Sequence, residues 1–513
     1  MSSSQVNDIA LPPLSGSMLI LAAVMIAAAN FVAVLDSTIA NVSVATISGA
    51  LGSSTSQGTY VITSYAVAEA ITVPLTGWLA SRFGTVRVFI AALVMFGLGS
   101  ALCGMATSLG TLVLFRVFQG LAGGPLMPLS QTLLLRIFPK EKTAAALGLW
   151  SMTTLLAPVM GPVLGGVICD DYHWSYIFFI NVPVSLICAY AGWMLLKRYE
   201  SEKIRMRIDT GGLVLLVIWV SALQIMIDEG KDQDWFSSLE IRVLAVTAVI
   251  GFVAFLIWEL TERNPIVDLR VFRHRGFGAS VVTMTLAFGA YFGATVLTPL
   301  WLQNNMGYTA TWAGYATATT GIFAVVSAPL AAKLSTKFDG RWLVFAGVMW
   351  LGSVTLFRTH ANSDMDFWQV ALPLLLQGVG LPFFFVPTTS LGLSSVDEPE
   401  TASAAGLMSF CRTFGGAIAT SVVNTLWENK TKYNRAELSG LVDQAGHYAA
   451  SLMGSGWSGH QAQAQISTVV ESQAVMLATN QLFFSIACCF VIGALAIWIA
   501  PKPTRVADTS QAH

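Results

Sequence analysis

Three ionisable residues stand where the surrounding sequence makes charge costly: Asp36 in FVAVLDSTIANV, Glu69 in SYAVAEAITV and Arg116 in VLFRVFQG. An Asp, Lys or Arg midway along a membrane-crossing helix costs about 2.5–3.5 kcal/mol on insertion scales, so such residues are functional by default. A carboxyl held away from bulk water can exchange a proton near neutrality, and a guanidinium that moves nearer or farther changes its hold on that proton. Asp36 and Arg116 therefore have the chemistry of a proton switch, with Glu69 as a second exchangeable carboxyl. Asn41, Gln119 and Arg412 add polar groups to the same kind of apolar sequence and are candidates for a substrate cavity.

Other chemistries find little support. Cys103, Cys169, Cys188, Cys411, Cys488 and Cys489 lie mostly in apolar runs, and no Cys/His spacing makes a metal site. None of the six histidines falls inside an apolar span, which argues against haem. A GxxxxGK[ST] segment is missing, so no nucleotide is expected, and a proton gradient is the energy source in prospect. No nucleophile–base pair converges among the apolar runs, so an enzyme is not expected.

Positioning these groups falls to a membrane bundle. The 513 residues are 55% hydrophobic and 11% charged, against about 25% charged in soluble domains, and mean hydropathy is +0.67. Water-soluble enzymes, nucleic-acid binders and disordered scaffolds are excluded. A net charge of −1 leaves no basic surface for nucleic acid. Read in windows of about 20 residues, the sequence predicts fourteen spans: 18–38, 59–80, 88–107, 111–133, 144–168, 176–196, 210–228, 241–261, 278–302, 313–332, 342–358, 369–391, 404–427 and 474–499. Barrel-type alternation is absent, so these are helices. No Lys or Arg precedes the first run and no small-residue cleavage site follows it, so span 1 is expected to stay as an anchor.

An even count puts both termini on one side. Nineteen of the 27 Lys and Arg then fall on that side, which the positive-inside rule makes cytoplasmic. Six fall on the far side, Arg358 among them, and Arg116 and Arg412 lie within spans. Asp228 and Glu229 close span 7, where water is near, and read as boundary residues.

The chain also echoes itself. LASRFGTVRVF at 79–89 returns as LSTKFDGRWLVF at 334–345, and Gln119-Gly120 with Pro128 returns as Gln377-Gly378 with Pro387. Two six-helix halves follow, 1–197 and 263–513, with a linker and two inserted helices over 198–262. Parallel halves of this kind rock about a midplane site. Arg116 has no repeat counterpart, since Leu374 stands there. The longest far-side loop, about 429–473, is expected to form short surface helices.

Small residues supply two further signals. APVMGPVLGG places Gly161, Pro162, Gly165 and Gly166 on span 5, a pattern for a close, bent helix pairing between the halves. GWLASRFGTVR makes the turn between spans 2 and 3, where Gly77 and Gly84 permit tight geometry and Arg82 and Arg87 can pin helix ends at a cytoplasmic gate.

Together these segments resemble the major facilitator superfamily, in particular its fourteen-span drug:proton antiporters of the EmrB/QacA type and their EmrB branch. LDSTIANV is similar to that group's first-span signature, and RVFQG to the span-4 segment whose arginine is implicated in proton coupling. MGPVLGG resembles the span-5 motif that separates exporters from symporters. HWSYIFFINVP, SQGTYVITSYAVAEAITVPLTGWLA, LQIMIDEGKDQDWF and FCRTFGGAIATS are also close to the branch. The turn departs from the family pattern at Ser81, where an acid usually stands, so a gate built on an Asp–Arg pair there is not assumed.

The resemblance implies an all-α polytopic membrane protein of the major facilitator fold, exporting small hydrophobic or amphipathic compounds against inward proton flow. It implies a multi-pass location in a bacterial inner membrane. It also implies a periplasmic adaptor and a TolC-like outer-membrane channel as partners, with the 429–473 loop as docking surface. A proton-coupled uptake symporter of the same fold is the alternative, and the span-5 segment favours export.

Overall fold

A bilayer offers the backbone no water, so every peptide group must be satisfied within its own segment, and apolar runs of this length become helices. The computed structural model describes residues 14, 16–53, 55–58, 60–139, 142–201, 203, 208–230, 233–263, 265–397, 400–440, 445–455 and 457–502. Its regular structure is entirely helical among the described residues. Spans 1 to 3 are Gly16–Ala50, Tyr60–Phe83 and Thr85–Gly104. Span 4 is two helices, Leu109–Gly123 and Leu126–Ile137, separated at Gly124-Pro125. Spans 5 to 8 are Thr143–Asp171, Asn181–Leu196, Thr210–Glu229 and Leu239–Thr261. Spans 9 to 14 are Arg275–Asn304, Ala310–Ser335, Gly340–Phe357, Phe367–Ser394, Thr401–Gly440 and Gly459–Ala496.

Thirteen of the fourteen are long and apolar enough to cross a bilayer. The remaining one, Tyr60–Phe83, has the length at 24 residues. It is less apolar because its buried face carries Tyr65, Thr72 and Thr76, and Glu69 lies along it.

The loops alternate between a basic end, which holds most of the cations, and an opposite end where spans 13 and 14 lengthen. There the 429–473 stretch differs from expectation. The span-13 helix runs on to Gly440, the span-14 helix already begins at Gly459, and one short helix, Ala445–Gly454, lies between. Arg435 Nη1 meets Glu471 Oε2 at 3.0 Å across the two extensions. No proline stands between Pro399 and Pro501, and the Ala, Gln, Glu and Lys content favours continued helix.

At the basic end the turn between spans 2 and 3 puts Gly84 at φ +100°, a region that only glycine enters cheaply. A Cβ there would also lie 2.9 Å from Glu200 Oε2. Glu200, from the linker after span 6, accepts from the backbone N–H groups of Val86 (2.9 Å) and Arg87 (3.1 Å). Ser201 Oγ accepts from Thr85 N–H at 2.9 Å, so the linker caps span 3 and satisfies its first donors. An acid thus reaches this turn from the linker, at the start of span 3. The repeated turn before span 11 keeps its own acid: Asp339 accepts from Arg341 Nη2 at 2.7 Å, and that bond holds its carboxyl below its usual range.

Span 5 is packed on two sides. A Cβ at Gly161 would meet Thr38 Cβ at 2.9 Å and Ile39 N at 3.0 Å on span 1. On the other side Gly314 and Gly321 of span 10 let that helix approach Pro162, Val163 and Val159. Gly161→Val would force spans 1 and 5 apart, and overpacking of this kind costs about 1–3 kcal/mol. The expected outcome is a clear fall in melting temperature of the purified protein in detergent, whereas Gly110→Ala, which has open space around it, leaves it unchanged.

Candidate functional site

Asp36 points into the bundle from span 1 and is fully buried. Arg116 on span 4, equally buried, donates from Nη1 to Asp36 Oδ2 at 2.6 Å. The other carboxylate oxygen accepts from Gln119 Nε2 at 2.9 Å and from Asn181 Nδ2 at 2.6 Å. Both amides also donate to Ser100 Oγ on span 3, at 2.6 and 3.0 Å. Arg116 is fixed further by Nε donating to Val61 O (3.0 Å) and Nη1 to Gln119 Oε1 (2.8 Å). Its guanidinium lies 4.1 Å above the Tyr65 ring and 5.5 Å from that of Phe178.

Local structure explains the convergence. Arg116 and Gln119 are three residues apart on one helix, so they share a face. A Cβ at Gly120 would lie 2.9 Å from Ala68 Cβ, so glycine lets spans 2 and 4 close enough for Arg116 to reach the Val61 carbonyl. One carboxylate thereby gathers groups from spans 1, 2, 3, 4 and 6. Three atoms of the cluster keep unused hydrogen-bonding capacity: Arg116 Nη2, Tyr65 OH and Asn181 Oδ1.

A second group of charges lies where spans of the two repeats meet. Arg412 on span 13 is 2% exposed, and its guanidinium sits 5.4–5.5 Å from the rings of Trp150, Phe288 and Phe385. Its Nη2 contacts Met127 Sδ on span 4. Glu69, half-buried on span 2, lies within electrostatic reach of Arg412 and of Arg116. Asn30 on span 1 donates to Thr153 and Thr154 on span 5 at 3.0 and 2.8 Å.

The remaining predicted residues take varied places. Gly161, Pro162, Gly165 and Gly166 are buried along span 5. Gly77 faces span 13, where a Cβ would lie 3.5 Å from Ser403 Oγ. Arg82 ends span 2, and Arg87 Nε lies 3.7 Å from Glu200 of the linker after span 6. The Asn41 side chain lies outside the described residues. His274, Asp397 and Glu400 converge at the basic end, where Arg273 bridges both acids at 3.3 and 2.7 Å.

Sequence reasoning missed four participants. Asn181 sat unmarked inside HWSYIFFINVP, one polar side chain before a proline at a helix start. Ser100 looks like any small residue of an apolar run. Asp228, taken as a boundary residue, accepts from Thr63 of span 2 (2.5 Å) and Ser421 of span 13 (2.8 Å). Arg358, counted among far-side loop cations, is instead folded inward and only 7% exposed; a 3-10 turn at Arg358–His360 ends span 11 and turns it in.

Comparison with known proteins gives a consistent picture. A family profile described as Major Facilitator Superfamily matches residues 26–420. The multidrug export protein EmrB of Escherichia coli (strain K12) is 43% identical over 496 residues, 96% of this chain and 97% of that protein. EmrB of Haemophilus influenzae is 43% identical over 497 residues, covering 96% and 98%. The fatty acid resistance protein FarB of Neisseria gonorrhoeae is 41% identical over 496 residues, again covering 96% and 98%. The human organic anion transporter MFSD10 (TETRAN) aligns in structure with a TM-score of 0.57 at 12% identity, covering 94% of this chain and all of that one, a likeness of fold.

Removing one partner of a buried ion pair strands the other and costs about 3–5 kcal/mol. Arg116→Met is therefore expected to lower the melting temperature strongly. The double variant Asp36→Asn with Arg116→Met should recover part of the loss in a thermal melt in detergent. A loss in the double variant equal to the sum of the losses in Arg116→Met and Asp36→Asn alone would mean that the pair is not energetically coupled.

Proposed function

The chain belongs to the Major Facilitator Superfamily as an EmrB-type transporter, and we propose that it exports amphipathic toxic compounds from the cell in exchange for protons. The observation that carries this reading is the ion pair between Asp36 and Arg116, 2.6 Å apart with neither side chain exposed. Protonating Asp36 removes the negative charge that Arg116, Gln119 and Asn181 hold. Arg116 must then find other partners, and five spans lose their common anchor. Deprotonation restores the pair and the arrangement around it. A single carboxyl thus selects between two packings of the repeat, the kind of bistable element that alternating access requires.

In this reading cargo occupies the space between the repeats. Trp150, Phe288, Phe385 and Met127 offer apolar and polarisable walls that repack around varied shapes, and Glu69 and Arg412 set the charge. Both ends of the span 2–span 13 contact are shut here: Gly77 packs at Ser403 and Asp228 links Thr63 to Ser421. Cargo enters from the cytoplasm or inner leaflet when the basic end parts. Protons from the other side then compete for Asp36 and drive release. A charge moving down 100 mV supplies about 2.3 kcal/mol, enough for roughly a fiftyfold gradient of a neutral compound per proton.

We place the protein in a bacterial inner membrane with both termini cytoplasmic, as the inner-membrane part of a tripartite pump. The helical extensions to Gly440 and from Gly459 are the surface we assign to a periplasmic adaptor leading to a TolC-like channel.

Asp36→Asn is expected to abolish proton release from everted vesicles on addition of substrate while the protein remains in the membrane. It should also remove resistance in an efflux-deficient host carrying the cognate adaptor. Wild-type export by that variant at matched membrane level would remove Asp36 from the mechanism. Substrate uptake coupled to proton entry, in the same vesicles, would overturn export altogether.

A further inference from the structure

Arg358 is a buried cation for which the described residues provide no acidic partner. Its guanidinium lies 4.1 Å above the Phe483 ring of span 14, and Nη2 donates to Thr298 Oγ1 on span 9 at 2.5 Å. Nη1 is buried with no hydrogen-bond partner. The side chain lines a small pocket with the hydroxyls of Thr298, Thr317 and Thr320 and the amide of Gln377, closed on the far side by Pro158 and Val159 of span 5.

The internal repeat gives this pocket its meaning. Gln377 lies 258 residues after Gln119, and at the same offset Leu374 stands for Arg116 and Ala294 for Asp36. Both Leu374 and Ala294 line the pocket. In the first repeat the guanidinium rests 4.1 Å above an aromatic ring, beside a glutamine and against a carboxylate. In the second, an arginine arriving from span 11 lies at the same distance above a ring, in a pocket lined by a glutamine. The carboxylate is replaced by a methyl group.

We propose that this pocket is an anion subsite, in which the carboxylate head of an amphipathic anionic substrate takes the position beside Arg358 that Asp36 takes beside Arg116. The pocket measures about 10 Å³ here, the size of one water, so the head group enters as Pro158 and Val159 of span 5 draw back. The Thr320 hydroxyl then donates to it, those of Thr298 and Thr317 being committed to the Ala294 and Ala313 carbonyls, and the apolar tail follows span 5. The proposal rests on the export reading above and deepens it, by assigning one substrate class to one pocket. It also makes the second repeat's ionic partner the cargo itself.

Binding of three probes of equal chain length to the full-length protein in nanodiscs tests this: laurate, dodecanol and dodecyltrimethylammonium. Arg358→Gln is expected to weaken laurate binding roughly tenfold or more, the value of a lost charge-assisted bond, and to leave the other two unchanged. Arg358→Lys should keep part of the laurate affinity. Ala294→Asp, which supplies Arg358 with an internal counter-ion and removes no group, should abolish laurate binding alone. Unchanged laurate affinity in Arg358→Gln and Ala294→Asp, or parallel loss of all three probes, overturns the subsite. Wild-type protein that binds dodecanol and dodecyltrimethylammonium but not laurate also overturns it while leaving the export reading intact. Failure to bind any of the three sinks both.

Discussion

The interaction on which the first repeat depends is a single carboxylate held in the absence of water. Asp36 is wholly buried, and an isolated charge in that position would cost several kcal/mol. It persists because Arg116, Gln119 and Asn181 all donate to it, and because Ser100 and the Val61 carbonyl hold those donors in turn. The arrangement is as much a packing device as an electrostatic one. Five spans must keep their mutual register for the donors to reach two oxygen atoms. Any event that neutralises the carboxylate therefore acts on five helices at once.

The two repeats resolve the problem of buried charge differently. The first neutralises its arginine internally, through Asp36. Of the second half's three buried arginines, Arg341 is paired with Asp339, whereas Arg358 and Arg412 lie over aromatic rings and have no carboxylate in hydrogen-bond contact among the described residues. Ring faces attract a cation, more strongly when water is excluded, yet they leave hydrogen-bond donors unused, as at Arg358 Nη1 and Arg412 Nε. Arg116 is thus neutralised by a carboxylate, while Arg358 and Arg412 keep donors open.

Much of this could be read from the amino-acid sequence, for physical reasons. Helix number followed from apolar run length, because hydrocarbon thickness fixes it, but not the ends of spans 1, 13 and 14, which continue as helix past their apolar runs. Asp36, Arg116 and Gln119 stood out because polar groups are conspicuous in apolar sequence, although their meeting could not be derived from spacing along separate helices. What escaped was decided by tertiary approach. Ser100 and Asn181 matter only because spans 3 and 6 bring them within 3.0 Å of one another. Arg358 read as a loop cation because it follows the last apolar residues of span 11. Nothing in the local sequence announces that Thr298 and Phe483 fold around it. The break of span 4 at Gly124-Pro125 was visible as residues but not as a division, since the apolar pattern continues across it.

The route from the buried pair to the junction of the repeats is short. Thr38 is two residues beyond Asp36, and its hydroxyl donates to Ala157 O of span 5 at 3.3 Å. Gly161, one turn further, brings the span-5 backbone against Thr38 and Ile39. Elsewhere on span 5, Val159 and Pro162 meet span 10 and Pro158 and Val159 close the Arg358 pocket. Span 5 thus touches both the neighbourhood of Asp36 and the wall of the second repeat's pocket. Close packing through glycines transmits small displacements rather than absorbing them, because no flexible side chain lies between the backbones. A rotation of span 1 about Asp36 must therefore be felt by span 5 and, through it, by the lining of the Arg358 pocket, which is the mechanical link that the proposed exchange requires.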